Sequence, residues 1–112
     1  MHAAALFTRT GDLICVREDV GRHNAVDKVI GWALTQHLLP LHDHVLQVSG
    51  RASAELVHKA VMAGVPVLSA ISAPTTLAVD LARAADLTLA GFVRNSGFTL
   101  YSGAHRVNLS DS

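Results

Sequence analysis

The fold is decided by residues 44–70, which read HVLQVSGRASAELVHKAVMAGVPVLSA. The run His44–Ser49 is typical of a strand, and Pro66–Ala70 is a short apolar run without alternation, typical of a strand covered on both faces. Between them, apolar residues recur at helical spacing from Ser53 to Ala63, and Gly64 follows as an end signal. This order predicts two parallel strands joined by a right-handed helical crossover.

The same alternation of strands and helices continues on both sides of this unit. The predicted elements outside it are strands Ala3–Arg9 and Leu13–Arg17 around the turn Thr10-Gly11-Asp12, helix Arg22–Leu39 ended by Pro40, helix Ser72–Ala85 capped by Ser72, strands Leu87–Phe92 and Phe98–Ser102, and a loose tail Gly103–Ser112. We therefore predict an α/β fold, a three-layer α/β/α sandwich whose mixed sheet is mostly parallel after an opening hairpin.

Composition limits the class of protein. The chain has 112 residues, 50% hydrophobic, which predicts a single domain over residues 1–112. Its formal net charge of zero argues against a sequence-independent nucleic-acid binder and favours self-association. A lone cysteine, Cys15, excludes an internal disulfide and fits a reducing compartment. The uncharged run Ala60–Val79 is interrupted by Gly64, Pro66 and Pro74, so we do not expect a membrane helix.

Polar residues concentrate at three strand-to-helix junctions, Glu18–Asn24, Ser49–Ser53 and Ser72–Thr76. The carboxyl ends of parallel strands share one edge of a sheet, where ligands bind and where helix N-termini favour anions. Arg22 and Arg51 add forked donors for phosphate or carboxylate, and a later loop adds Arg94. The alternative is that serine, threonine and aspartate at these junctions only cap helices.

The histidines and the cysteine allow two interpretations each. His23 sits in the first junction, where it either contacts a ligand or orders the turn. His37, His42 and His44 lack a further ligand at metal-binding spacing, so surface histidines are the expectation. Cys15 lies within an apolar strand, which predicts a buried, unreactive thiol.

Six segments carry a resemblance to a known family. They are Glu18–Lys28, Ser49–Glu55, Lys59-Ala60, Ala63-Gly64, Ser72–Val79 and Leu89–Phe92. In this order, from about His2 to Tyr101, they resemble the formate dehydrogenase accessory proteins of the FdhD/NarQ family. The resemblance implies a cytidine-deaminase-like fold, a homodimer and a cytoplasmic location. It also implies sulfur transfer from a cysteine desulfurase to the molybdenum cofactor, bis-molybdopterin guanine dinucleotide, on its way to formate dehydrogenase.

The resemblance also supplies a binding stretch for that cofactor, for which GDP serves as a mimic. It implies that Phe92, Val93, Arg94, Asn95, Ser96 and Gly97 form the cofactor-binding stretch, although Ser96 and Gly97 stand where the family can have a Gly-Arg pair. The three junctions add further expected binding residues, namely Arg22, His23, Asn24, Ser49, Gly50, Arg51, Ser72 and Thr75.

Two departures from related patterns limit the expected chemistry. The sulfur-carrying cysteines of the family form a Cys-x-x-Cys loop, and this chain has none. We therefore expect the C-terminal cofactor-binding domain alone, without a catalytic residue. Zinc deaminases carry His-x-Glu and Pro-Cys-x-x-Cys ligand sets, which are replaced here by His23-Asn24-Ala25 and Gly50–Ser53, so no zinc is expected.

The residues alone leave two other classes of function open. One is a non-catalytic module that binds a guanine nucleotide or docks an enzyme. The other is a hydrolase using Ser49 or Ser72 with His23, which the absence of a nucleophile-elbow spacing disfavours.

Overall fold

A computed structural model of the protein describes residues 1–107. The elements in chain order are β1 (His2–Thr8), β2 (Leu13–Asp19), α1 (Arg22–Thr35), β3 (His44–Val48), α2 (Ala54–Met62), β4 (Val67–Ala70), α3 (Thr76–Ala84), β5 (Thr88–Arg94), β6 (Gly97–Ser102) and a 3₁₀ turn at Ala104–Arg106. The longest helix has 14 residues, and no helix within residues 1–107 is long and apolar enough to cross a membrane.

The six strands form one mixed sheet in the order β2-β1-β3-β4-β5-β6. β3, β4 and β5 are parallel, β1 is antiparallel to both of its neighbours, and β6 is antiparallel to β5. Four strands, β2 to β5, therefore point the same way, while β1 and β6 are reversed. This confirms the α/β class, the mixed sheet and the opening hairpin.

All three helices lie on one face of the sheet. α1 contacts α2, and α2 contacts α3, which helices on opposite faces could not do. The reason is that every crossover, from β2 to β3, β3 to β4 and β4 to β5, advances in the same direction along the sheet, and right-handed crossovers in one direction share a face. The described residues thus form two layers, and the predicted third layer is not among them.

The core fills the space between this face and the helices. One row of directly paired residues crosses the sheet there, namely Cys15, Leu6, Leu46, Leu68 and Leu89. Each leucine of the row is at most 1% exposed. The helices add small and branched side chains, namely Ala25, Val26, Val29, Leu56, Val57, Ala60, Ala78 and Ala82, all fully buried. Close helix–sheet packing explains the alanine-rich helix faces.

Two helix boundaries differ from those predicted by four residues each, and the other helix boundaries agree to within one residue. The first helix ends at Thr35 rather than Leu39 because His37 adopts a left-handed conformation, φ 59°, and the amide of Leu38 turns back to the carbonyl of Ala33. The last helix begins at Thr76 rather than Ser72, since Thr75 is the cap, and its Oγ1 accepts from the amide of Ala78 at 3.1 Å.

The prediction of a loose tail from Gly103 is wrong for its described part. Gly103 accepts a hydrogen bond from Thr88 Oγ1 at 2.7 Å, and Arg106 donates to the carbonyl of Asp86 at 2.6 Å. The backbone of Gly103 lies directly on the start of β5, where a Cβ would collide with Thr88 Oγ1 and lie only 2.6 Å from Thr88 Cα. Residues 108–112 of the predicted tail lie outside the described residues.

Substituting Gly103 tests this close packing. Gly103 and Gly11 both have positive φ angles, 69° and 98°, but only Gly103 of the two has atoms within 4 Å of the position that a Cβ would take. Both alanine variants lose stability through backbone strain, and Gly103→Ala loses roughly 1–3 kcal/mol more because of overpacking. Urea unfolding of the two variants measures the difference, and equal midpoints would contradict the packing described here.

Candidate functional site

The reversed direction of β1 opens a gap at the carboxyl edge of the sheet. β2 and β3 both end at this edge and lead into α1 and α2, but β1 lies between them and begins there at His2. The ends of β2 and β3 are therefore two strand spacings apart, about 9.5 Å, instead of one. The gap lies between two helix N-termini, which is where an open α/β sheet binds its ligand.

A cavity of about 460 Å³ fills this gap. Its lining residues come from the start of β1, from the loop after β2 and from the first turn of α1, and they are His2, Val20, Gly21, Arg22, His23 and Asn24. Among the described residues, the lining thus contains one permanent cation and two histidines and no carboxylate. Arg22 Nε is buried and has no hydrogen-bond partner within residues 1–107, so an unsatisfied guanidinium donor lies beside the cavity.

The N-terminus of α1 is open to this cavity. Its N-cap is Gly21, which provides no side-chain cap, whereas Ser53 and Thr75 cap α2 and α3. The first amide N–H groups of α1 therefore have no side-chain acceptor from the N-cap. Unpaired N–H groups and the positive end of the helix dipole favour an anion at this point.

Asp19 shapes the loop that carries Arg22. Its Oδ1 accepts from the amide of Gly21 at 3.0 Å and from Asn24 Nδ2 at 3.4 Å, and its Oδ2 pairs with Lys28 Nζ at 2.9 Å. The hydrogen bond from the Gly21 amide has the largest effect on the pKa of Asp19, and the hydrogen bond from Lys28 has the next largest. Together they lower this pKa from 3.8 to about 2. Asn24, expected to bind a ligand, is thus partly used in building the loop.

Because Gly50 has no side chain, it leaves space beside the cavity. A Cβ there would lie 3.4 Å from His2 Nδ1 and 4.0 Å from Arg22 Cδ, so the second junction closely approaches the first. Ser49 is a structural residue, because its Oγ accepts from the amide of Ala3 at 2.9 Å and ties the start of β1 to the end of β3. Gly50 therefore lies next to two residues of the cavity lining, and Ser49 holds the strands that form it.

His23 links the first two junctions. Its Nδ1 lies 2.8 Å from Glu55 Oε2, and its Nε2 lies 3.4 Å from Ser53 Oγ. Arg51 forms no ion pair within residues 1–107. Glu55 and His2 were not among the binding residues expected from the sequence, and the only available signal for Glu55 was its place in the first turn of α2.

The third junction packs beside the second but does not line the cavity. The amide of Ser72 donates to the carbonyl of Gly50 at 3.5 Å, and that of Thr75 donates to Ala52 at 3.0 Å. The three junctions converge at one edge, as expected from parallel strands. Thr75 serves as a helix cap, and Ser72 accepts through its carbonyl from the amide of Phe92.

The expected cofactor-binding stretch forms the end of β5 and the turn into β6. Phe92 adopts a left-handed conformation, φ 53°, and is partly exposed, which is unusual for a bulky residue and typical of functional sites. Arg94, Asn95, Ser96 and Gly97 are exposed, with Val93 half-buried. β5 ends at the same edge as β3 and β4, but none of these six residues lines the cavity.

The remaining histidines and Cys15 show no site. No group of three or more histidine, cysteine, aspartate or glutamate side chains could hold a metal ion within residues 1–107. Cys15 is 5% exposed, and burial raises the pKa of its thiol. A buried thiol of raised pKa is a poor nucleophile.

Comparison with known proteins points to one family. The model of the FdhD/NarQ family matches residues 1–108. The sulfur carrier protein FdhD of Nocardia farcinica is 64% identical over 107 residues, 96% of this chain and 38% of the relative, and that of Sulfolobus acidocaldarius is 52% identical over 109 residues, 97% of this chain and 43% of the relative. The chain therefore spans about two-fifths of the length of these curated relatives.

A solved structure agrees with this comparison. The crystal structure of a candidate formate dehydrogenase accessory protein from Desulfotalea psychrophila matches with a TM-score of 0.87 and 30% identity. The match covers 96% of this chain and 47% of the other. The fold and the sequence thus identify the same group of proteins.

The hydrogen bonds of Asp19 predict an acid-sensitive contribution to stability. Because its pKa in the folded protein is about 2, below the ordinary 3.8, the carboxylate stabilises the fold above pH 3.8, and this stabilisation is lost as the pH falls towards 2. Asp19→Asn should therefore lower the urea midpoint at pH 7, with the difference from wild type shrinking between pH 4 and pH 2. Glu18→Gln, which removes an exposed carboxylate without an ion pair among residues 1–107, is the control. A pH-independent difference for Asp19→Asn would contradict the assignment.

Proposed function

The chain belongs to the FdhD/NarQ family, and from this premise we propose that it forms the part of a sulfur carrier protein that binds the sulfur acceptor. The acceptor in this proposal is the molybdenum cofactor bis-molybdopterin guanine dinucleotide, which is cargo rather than a resident cofactor. Its guanine nucleotide tail is an anion, and the cavity between β2 and β3 is the place for it.

The observation that carries the proposal is the buried Nε of Arg22, a cationic donor without a partner among the described residues and beside the cavity. A phosphate oxygen is a suitable acceptor, because a guanidinium donates in a planar fork. The uncapped N-terminus of α1 adds amide donors and dipole attraction on the same side. Within residues 1–107, no carboxylate belongs to the lining itself, so none lies in direct contact with the proposed phosphate.

The size of the cavity supports one nucleotide tail rather than the whole cofactor. A volume of about 460 Å³ lies in the ordinary range for small-ligand sites, roughly 300–1,000 Å³. In the proposal, the diphosphate lies against Arg22 and the start of α1, and the rest of the cofactor extends along the edge towards Arg51 and Phe92–Gly97. Apart from the half-buried Val93, these residues are exposed at the same edge, and together they form the outer part of the proposed site.

The sulfur itself requires a thiol outside these residues. Cys15 lies in the core row under α1, away from the edge, so it does not serve as the carrier. The family resemblance assigns this role to a Cys-x-x-Cys loop, with a cysteine desulfurase as donor and formate dehydrogenase as final recipient. His2, the first residue of β1, lies on the cavity lining, so polypeptide joined before it would run past the bound acceptor. A homodimer and a cytoplasmic location complete the proposal.

Binding of GDP tests the site. Arg22→Ala removes a charge-assisted hydrogen bond, so we expect GDP binding to weaken by about 1.5–3 kcal/mol, roughly tenfold to a hundredfold. Isothermal titration calorimetry on wild type and variant measures it. Because the Arg22 side chain lies at the edge, the urea midpoint should change little.

Arg9→Ala is the matched control for this titration. Arg9 is an exposed arginine that follows β1 at the opposite edge of the sheet, so its removal changes the net charge equally without touching the cavity. Equal losses of affinity in both variants would indicate a non-specific charge effect. A folded wild type that binds no GDP would overturn the proposal.

Burial of Cys15 predicts that this chain does not carry sulfur. After incubation with a cysteine desulfurase and cysteine, intact-protein mass spectrometry should show no added sulfur on the folded chain, whereas a denatured sample should react with a thiol reagent. A persulfide formed on Cys15 of the folded protein would contradict both its burial and the division of roles proposed above.

A further inference from the structure

His23 pairs with Glu55, a residue that is not among the expected binding residues. Glu55 Oε2 lies 2.8 Å from His23 Nδ1, and the two residues belong to different helices, α2 and α1. His23 lines the cavity, whereas Glu55 does not, and the Glu55 side chain is 68% exposed. An exposed glutamate held against a cavity residue of a neighbouring helix is in a position to orient that residue.

The chemistry of the pair fixes the histidine ring. A carboxylate can only accept hydrogen bonds, so Nδ1 of His23 carries a proton whenever the contact is made. Nε2 is then the nitrogen left for other partners, and it faces the first turn of α2, 3.4 Å from Ser53 Oγ. Ser53 Oγ is itself held in place, because it accepts from the amide of Leu56 at 3.3 Å. The ring is thus supported on both sides.

We infer that Glu55 is the positioning residue of the anion site: its contact with Nδ1 holds the His23 ring so that Nε2 exchanges its longer contact with Ser53 Oγ, 3.4 Å, for one with the bound nucleotide. The inference rests on the proposed nucleotide binding at the cavity. In it, Nε2 accepts from a ribose hydroxyl when the ring is neutral or donates to a phosphate oxygen when the ring is protonated. Without Glu55, the ring rotates and changes tautomer freely, and the nucleotide loses an ordered contact.

The sign of the mutational effect separates this role from simple electrostatics. Removing a carboxylate near a phosphate site reduces repulsion and by itself strengthens binding of an anion. A positioning role predicts the opposite for Glu55. We therefore expect Glu55→Ala to bind GDP about fivefold or more weakly, the scale of one lost hydrogen bond. Glu55→Gln retains an oxygen that accepts from Nδ1, so it should bind close to wild type.

The matched control is Glu18→Ala. Glu18 is exposed at the end of β2 on the same edge, and its side chain forms no ion pair within residues 1–107. This variant should bind GDP as well as wild type or slightly better. Because Glu55 and Glu18 are both exposed, all three variants should remain folded, which circular dichroism checks.

A spectroscopic readout tests the ring directly. Two-bond ¹H–¹⁵N correlation spectra of the histidine rings should show His23 as the Nδ1–H tautomer in wild type and Glu55→Gln, and a mixture containing Nε2–H in Glu55→Ala. This signal shows whether Glu55 fixes the tautomer, and the GDP titration of the same variants shows whether the fixed tautomer contributes to binding.

The outcomes are distinct from those of the proposed function. GDP binding by Glu55→Ala that is equal to or tighter than wild type would overturn the inference and leave the nucleotide site intact. Binding by Glu55→Gln as weak as that by Glu55→Ala would also overturn it, because charge rather than orientation would then be responsible. A folded wild type that binds no GDP would overturn the proposed function and the inference together.

Discussion

The reversed position of β1 between β2 and β3 is the constraint from which the site follows. The pairing of Leu6 with both Cys15 and Leu46 holds β1 in the middle of the sheet, with the reversed direction that the opening hairpin imposes. A strand in that direction contributes its beginning, not its end, to the carboxyl edge. Within residues 1–107, the edge therefore has no loop and no helix between α1 and α2, and an open cavity results. The same buried row that stabilises the fold also fixes the location of the cavity.

The acidic residues Asp19 and Glu55 near this cavity both act on other protein groups. Asp19 accepts hydrogen bonds from the amide of Gly21 and from Asn24, and it pairs with Lys28. Glu55 pairs with His23. Each carboxylate stabilises the loop or the ring that lines the cavity while staying out of the lining itself. Within residues 1–107, the cavity is therefore lined without a carboxylate and lies beside two kinds of donor, Arg22 Nε and the first amides of α1.

The sequence was sufficient to predict the order of elements, the convergence of three junctions and the placement of Arg22, His23 and Gly50 at one edge, because parallel strands must end together. It was not sufficient for the layers, since the face on which a helix packs depends on strand order as well as chain order. Local signals also misled: Ser72 lies two residues before Pro74 and resembles a cap, yet Thr75 has the cap geometry. The roles of His2 and Glu55 depend on contacts across the sheet edge and between helices, which no local pattern records.

The central claim is that the gap left by β1 is where an anionic nucleotide binds, and amide chemical-shift mapping tests it most directly. Titration of ¹⁵N-labelled protein with GDP should give saturable shifts at Gly21, Arg22, His23, Asn24 and Gly50, around the cavity between β2 and β3. Amides at the opposite edge, such as those of Arg9 and His42, should not move. Saturable shifts confined to that opposite edge, or to the turn between β5 and β6, would contradict the account.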